Sequence, residues 1–493
     1  MRNWRKAFES NKPILSGAGQ PWTAHELAIT IEDMKAALCS RRQPTAPVAV
    51  LADNLPQWIA IDLATKELGL TLIPLPLFFT PAQWQHALIS SGAQAIFCAK
   101  PYQGAALGYP HVVPCPGELV LCQADRLIEP VENLDDIQKI TFTSGTTSEP
   151  KGVCLTAEQQ WEVAEALNAS LGQLNIQRHL CLLPLAVLLE NVAGVYTALL
   201  AGAEVIVPPL AEIGLHGANQ FDAKTCLDAI ADYRAESVIL LPQMLQTLVA
   251  AVRPHDPRIE KLKFVAVGGG RTPEGLIPLA WQKGFPVFEG YGLSECSSVV
   301  SLNLPGACRT LSVGKPLAHR QVRIAADGEI EAGGLSHVRY LGQPPQYPDW
   351  LPTGDLGYLD ANGFLFINGR KKDVLITAFG RNVSPEWPES VLLAQGIFAQ
   401  VFVFGDAQAT LGALLVPTAA DITPAEMQAA VEAANVSLPD YARIGSWHVT
   451  PPFTPATGLL TANGRLRRAA ILQHYAALTD PSLKKTGDSL EFL

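Results

Sequence analysis

This chain of 493 residues has no long uninterrupted apolar run, no C-x-x-C pair and no basic stripe. Each absence removes a class of function. The most apolar stretch, 180–207, is broken by Pro184, Glu190 and Glu204. A membrane-spanning helix needs about 20 mostly apolar residues, so the stretch reads better as a buried strand followed by a buried helix. The opening MRNWRKAFES carries charge with no apolar stretch behind it, which is not the pattern of a secretory leader. Positive charge is scarce: 36 Lys and Arg stand against 46 Asp and Glu, a net charge of −10. Proteins that grip a phosphate backbone carry a basic face, so nucleic acid is not an expected partner. The nine cysteines are irregularly spaced. That disfavours both a disulfide framework and a zinc site and favours a reducing, cytoplasmic setting. Most of the thiols are expected as small core residues. Internal repeats and low-complexity tracts are also missing.

What is present is a globular profile, 48% hydrophobic and 17% charged. At roughly 150 residues per domain the length allows two to four packed units. Short apolar runs, among them Val48–Leu51, Ala95–Cys98, Gln138–Thr143, Glu204–Val207, Ser237–Leu240 and Phe264–Val267, alternate with helix-like segments such as 57–68 and 222–233. Strand–helix alternation predicts an α/β fold of parallel sheets covered on both faces. Asp327-Gly328 between VRIA and EIEA reads as a hairpin, so a smaller antiparallel section is expected after residue 310. From about residue 372 the pattern changes. Strand-like runs at Val401–Phe404 and Gly412–Val416 precede a helix-like 424–435, the expected pattern of a separate small α+β domain.

The sharpest local feature is 141–156, TFTSGTTSEPKGVCLT. Thr143, Ser144, Thr146, Thr147 and Ser148 crowd around Gly145, and Lys151-Gly152 closes the loop. Glycine lets backbone approach an anion, hydroxyls and N–H groups donate to phosphate oxygens, and lysine adds a mobile positive charge. The glycine spacing is not that of G-x-x-x-x-G-K-[ST]. On composition alone a polar turn between two strands is as good a reading.

The ordered string TSGTTSEPKG resembles the phosphate-loop signature of the adenylate-forming superfamily of acyl-CoA synthetases, peptide-synthetase adenylation domains and luciferases. The likeness continues in order from about residue 45 to residue 471. It implies a large N-terminal AMP-binding domain, 1–371, of layered parallel sheets with helices and a small antiparallel barrel-like section. A small mobile α+β domain, 372–493, would follow, with its hinge at Lys372. The resemblance also implies site roles. Thr143, Ser144, Gly145, Thr146, Thr147 and Lys151 would hold the ATP phosphates, and Gly268, Gly269 and Gly270 would lie along adenine. In EGYGLSE, Gly290, Tyr291 and Gly292 would border the base, Ser294 would approach the phosphates, and Glu295 would hold Mg²⁺. Asp355 and Arg370 would contact the ribose. Gly380, in AFGRNVSPE, would wall the channel of the thiol acceptor, either CoA or a phosphopantetheine arm.

Two positions depart from the pattern. The motif GLLTANGRLRR carries Arg465 where the superfamily places a lysine that reaches the reacting carboxylate. Arginine keeps the charge but is planar and forked. In LPLAVLLE, Val187 stands where many members have histidine or an aromatic at the acyl pocket. The expected activity is activation of a carboxylic acid with ATP and Mg²⁺ to an acyl-adenylate, with Lys151, Glu295 and Arg465 as catalytic residues, then transfer to a thiol. The GLLT lead-in leans toward medium- or long-chain fatty acids. The alternatives are a ligase that loads a separate acyl carrier protein and a weakly active nucleotide-binding relative.

Overall fold

The computed structural model describes residues 12–17, 19–128, 134–143, 150–216, 220–378, 381–461 and 464–480. Two large sheets form the first part. In one, Lys139–Thr143, Leu72–Pro74, Val48–Leu51 and Ala95–Cys98 lie side by side in parallel. Every residue of Val48–Leu51 and Ala95–Cys98 is buried. Strands covered on both faces need continuous apolar runs rather than alternation, and these two have them. Antiparallel strands extend the sheet: Val120–Gln123 and His111–Val113 at one edge, Lys151–Leu155 and Arg339–Tyr340 at the other.

The second sheet has a parallel centre of Val287–Leu293, Phe264–Val267, Ser237–Leu240, Arg178–Leu180, Glu204–Val207 and Pro13–Gly17. Ser298–Leu302 folds back antiparallel on Val287–Leu293. The helices between strands begin where the sequence supplies caps. Thr23 with Glu26 and Thr156 with Gln159 form capping boxes for Ala24–Cys39 and Ala157–Leu171.

A buried polar cluster joins the two layers. Lys139 Nζ lies 3.0 Å from Asp62 Oδ1, with both side chains fully buried. Tyr196 Oη donates to Asp62 Oδ2 at 2.7 Å. Burial pushes Asp62 up, but Lys139 and Lys66 beside it outweigh that and hold the carboxyl below its usual range. Lys66 Nζ sits 4.0 Å over the Tyr196 ring, and burial drives its amine well below the ordinary lysine range.

The stretch 180–207 holds the end of a strand and then a buried helical segment, as expected, but with two unexpected details. The strand Arg178–Leu180 is only three residues long, and a π-helix, Leu189–Tyr196, runs on into the α-helix Thr197–Ala201 before the strand Glu204–Val207. Glu190 sits at the start of that helix. Its carboxylate accepts the N–H groups of Leu182 and Leu183 at 3.0 and 2.9 Å, donors that a longer strand would give to a neighbour.

The antiparallel section is a four-stranded sheet, Gln321–Ile324, Glu329–Gly333, Trp350–Leu359 and Leu365–Arg370, in that order. Beyond it, Phe398–Phe404, Leu411–Pro417 and Ile444–Val449 form a three-stranded sheet. The helices Glu386–Leu393 and Pro424–Ser437 pack against that sheet around Val391, Val403, Leu411 and Val431. None of the nine cysteines forms a disulfide, and six are buried. Among the described residues no helix is long and apolar enough to cross a membrane.

Candidate active site

Parallel strands of the second sheet end at a cavity of about 2090 Å³, the edge at which open α/β sheets admit ligands. The strand Phe264–Val267 runs into Gly268, Gly269 and Gly270, and Gly269 takes a left-handed φ of 79°. A side chain there would be strained, so glycine keeps this rim low. The next strand, Val287–Leu293, carries Gly290, Tyr291 and Gly292. A Cβ on Gly292 would come within 1.7 Å of the Ser298 carbonyl oxygen, so the hairpin closes only on glycine.

Tyr291 Oη donates to Asp355 Oδ2 at 2.6 Å, and Arg370 Nε lies 3.0 Å from Asp355 Oδ1. Asp355 and Arg370 are register partners on the antiparallel strands Trp350–Leu359 and Leu365–Arg370, so the pairing follows from the hairpin. Burial pushes the Asp355 carboxyl upward against the opposing pull of Arg370. Together these residues make an aromatic face beside a carboxylate and a guanidinium, a surface suited to a nucleoside. Glu289, at the base of the same strand as Tyr291, is raised to about 7 by burial.

Two described residues of the hydroxyl-rich segment reach the cavity. Thr143 ends one strand and Lys151 begins its antiparallel partner directly opposite, with both lining the cavity. Ser144, Gly145, Thr146 and Thr147 lie outside the described residues. Across from Lys151, Ser294, Glu295 and Cys296 form a 3₁₀ turn. Tyr340 Oη donates to Glu295 Oε1 at 2.8 Å. A carboxylate oriented through one oxygen keeps the other for a hard cation, so the donor chemistry at Glu295 suits Mg²⁺. The sequence reading missed Tyr340. It is 45 residues from its partner, and no local pattern marks it.

The small C-terminal part also reaches the cavity. Arg465 Nη2 donates to the Gly269 carbonyl at 2.9 Å across 196 residues of sequence. Burial lowers its guanidinium, as does neighbouring Arg370, and Asp355 opposes the shift. Lys372, in the turn Lys371–Asp373, lines the cavity as well. The approach needs Gly369, whose Cβ would stand 1.6 Å from Ser384 Oγ. Gly380 lies outside the described residues. A further link missed from sequence is Arg468, whose Nη2 donates to both oxygens of Glu389 at 2.6 Å.

The remaining lining mixes apolar side chains with Asn168, Asn175, Thr197, Ser237, Gln243 and Thr247. Val187, Ala193 and Gly194, from the π-helix region, and Ile239 and Ala266, from two strands, line what we call the inner end. His179 lines it and is hydrogen-bonded through both ring nitrogens. His179 Nε2 is 2.9 Å from Glu190 Oε1, and His179 Nδ1 is 2.9 Å from Ser237 Oγ. A Cβ on Gly194 would approach Glu190 Oε1 to 2.3 Å, so glycine makes room for the pair.

Comparison with known proteins gives a consistent picture. Residues 2–334 match the family described as AMP-binding enzyme, and 372–485 match the AMP-binding enzyme C-terminal domain. A 2-succinylbenzoate–CoA ligase of Bacillus velezensis is 29% identical over 435 residues, covering 82% of this chain and 84% of the relative. The enzyme of the same name from Bacillus subtilis is 28% identical, covering 75% and 76%. Among solved structures, ATP-bound MatB from Rhodopseudomonas palustris superposes with a TM-score of 0.78 at 20% identity, covering 97% of this chain and 99% of that one. O-succinylbenzoate CoA synthetase from Bacillus subtilis, with ATP and magnesium, gives 0.72 at 24% identity, covering 95% and 98%. These structures share the fold. The leaning toward fatty acids has no counterpart in these relatives, whose names specify another acid.

Proposed function

The chain belongs to the AMP-binding enzyme family and is an acid–thiol ligase of the AMP-forming class, and on that premise we propose that it joins an apolar monocarboxylic acid to CoA through an acyl-adenylate. The observation that carries the reading is the convergence of Lys151, Glu295, Asp355, Arg370 and Arg465 on one cavity. In this reading Thr143 and Lys151, with Ser144, Gly145, Thr146 and Thr147, take the outer phosphates. Ser294 approaches the phosphates, and Tyr291 packs on the base between Gly290 and Gly292 on one side and Gly268, Gly269 and Gly270 on the other. Asp355 accepts from the ribose hydroxyls and Arg370 holds that carboxylate in place.

A carboxylate oxygen of the acid attacks the α-phosphorus, and the bond to the bridging oxygen of pyrophosphate breaks. Negative charge gathers on the non-bridging oxygens, where fixed cations count most. Arg465 is the cation for the reacting end, in place of a lysine. Mg²⁺ bound through Glu295 would neutralise phosphate charge. The thiol sulfur of CoA then attacks the acyl carbon and loses its proton. AMP departs with the oxygen that came from the acid. No protein nucleophile is required, so none of the cysteines has to be catalytic. Lys372 is the proposed hinge between residues 1–371 and 372–493. A turn about it would bring the segment around Gly380 to the thiol's path.

The relatives' names favour a second reading, that the acid is 2-succinylbenzoate, which carries two carboxylates. The charge distribution supports the monocarboxylate instead. The lining cations Lys151, Arg271, Arg370, Lys372, Arg465 and Arg468 are all outside the helix and strands that wall the inner end. His179, which is on that wall, is already tied to Glu190. A second carboxylate buried there without a cation would cost several kcal/mol, whereas Val187, Ala193, Ile239 and Ala266 suit an aliphatic chain of medium or greater length.

The route is tested with acid labelled by ¹⁸O in its carboxyl group. Adenylation predicts one labelled oxygen in the AMP released as acyl-CoA forms. Label in inorganic phosphate, with ADP as co-product, would overturn it.

A further inference from the structure

Glu295 sits on an unusual piece of backbone. The turn Ser294–Cys296 is followed by Ser297 at φ 62° and Ser298 at φ 128°. Two successive non-glycine residues in this region are strained, and such strain persists only where the surroundings over-determine the conformation. The chain then enters Ser298–Leu302, whose residues are all buried. The backbone that presents Glu295 is therefore rigid, but a glutamate side chain retains several rotatable bonds of its own.

Tyr340 supplies the missing restraint. Its hydroxyl donates to Glu295 Oε1 at 2.8 Å. Its ring packs beside the buried cluster of Cys296, Val300, Ala332 and Val338. Its backbone lies in the two-residue strand Arg339–Tyr340, which pairs antiparallel with Lys151–Leu155, with Tyr340 opposite Val153. Lys151 is the first residue of that same partner strand. The carboxylate and the phosphate-facing amine are thus held on one frame, joined by backbone hydrogen bonds and one phenol.

We propose that Tyr340 is the positioning residue of the metal site: it orients the Glu295 carboxylate so that the divalent cation on ATP meets a preformed ligand. The inference rests on the reading of Glu295 as the metal ligand. Partners that hydrogen-bond a ligating carboxylate typically contribute about 10- to 100-fold in metal affinity. Tyr340→Phe removes the hydroxyl and keeps the ring, so packing is conserved.

The test compares ATP binding by calorimetry with and without Mg²⁺, in the absence of any acid, for wild type, Tyr340→Phe and Glu295→Gln. Thermal unfolding checks that each variant is folded. In the wild type Mg²⁺ should tighten ATP binding. Tyr340→Phe should lose about 10-fold of that gain while its affinity for metal-free ATP stays at the wild-type value, and Glu295→Gln should lose most of the gain. If Glu295→Gln loses the gain but Tyr340→Phe keeps it, the role given to Tyr340 is wrong and the metal-ligand reading stands. If Tyr340→Phe weakens metal-free ATP binding equally, the residue is merely structural and the proposal fails. If Glu295→Gln keeps the full gain, the metal-ligand reading fails and the proposal with it.

Discussion

The two ends of the cavity are built on opposite principles. At the outer end Tyr291, Asp355, Arg370 and Arg465 stand within a few ångströms of one another, each charged group facing an opposite charge or a carbonyl. At the inner end Val187, Ala193, Ile239 and Ala266 offer apolar side chains, and the nearby His179 is already hydrogen-bonded to Glu190 and Ser237. Directional bonds fix a ligand's orientation, whereas an apolar wall grades ligands by size and by the charge it refuses. The difference teaches that the outer end should act alike on every acid while the inner end should tell acids apart.

That contrast can be broken by substitution. Arg465→Ala removes the cation proposed for the reacting end. Acid-dependent ATP–pyrophosphate exchange should fall by about 10²- to 10³-fold, to the same degree for every acid tested, and an unchanged rate would remove Arg465 from the mechanism. Glu289 offers a test of burial at the outer end. Its folded pKa of about 7 lies above the ordinary 4.5, so the folded state favours the protonated form. The stability it contributes is full below about pH 4.5 and is lost as pH rises through about 7, on the order of 3 kcal/mol. Glu289→Gln should flatten that part of the profile of Tm against pH, and an unaltered slope would contradict it. Asp355→Ala, which removes a charged hydrogen-bond acceptor from the proposed ribose site, should raise KM for ATP by roughly 10- to 100-fold without changing the ranking of acids. The smallest effect sharpens the other side. Ala193→Phe fills part of the inner end and should lower kcat/KM for a long-chain acid about tenfold relative to a short one, while KM for ATP holds. A change in ATP use of the same size would show that the two ends are not separable.

How much of this was legible differs along the same line. Val48–Leu51 and Phe264–Val267 could be read as strands because residues buried on both faces must all be apolar. Asp355 and Arg370 lie only a hairpin apart, and the motifs that contain them are local. The bond of Arg465 to Gly269 spans 196 residues and that of Tyr340 to Glu295 spans 45, so only the packing of separate elements brings them together. The inner end was least legible. Within the π-helix Leu189–Tyr196, Glu190 turns back to the N–H groups of Leu182 and Leu183, contacts that no periodicity encodes. The leaning toward fatty acids came from a motif far from that wall. The proposed monocarboxylate rests instead on the apolar residues Val187, Ala193, Ile239 and Ala266 and on the absence of a cation from the elements that carry them.

The most direct measurement is ATP–pyrophosphate exchange with the whole chain and Mg²⁺ over a panel running from butyric to palmitic acid, with 2-succinylbenzoate and benzoate beside them. Exchange that depends on added acid, strongest with an aliphatic monocarboxylate and weak with 2-succinylbenzoate, is the predicted result. Strongest exchange with 2-succinylbenzoate would contradict the reading of the inner end, and no acid-dependent exchange at all would contradict the ligase chemistry itself.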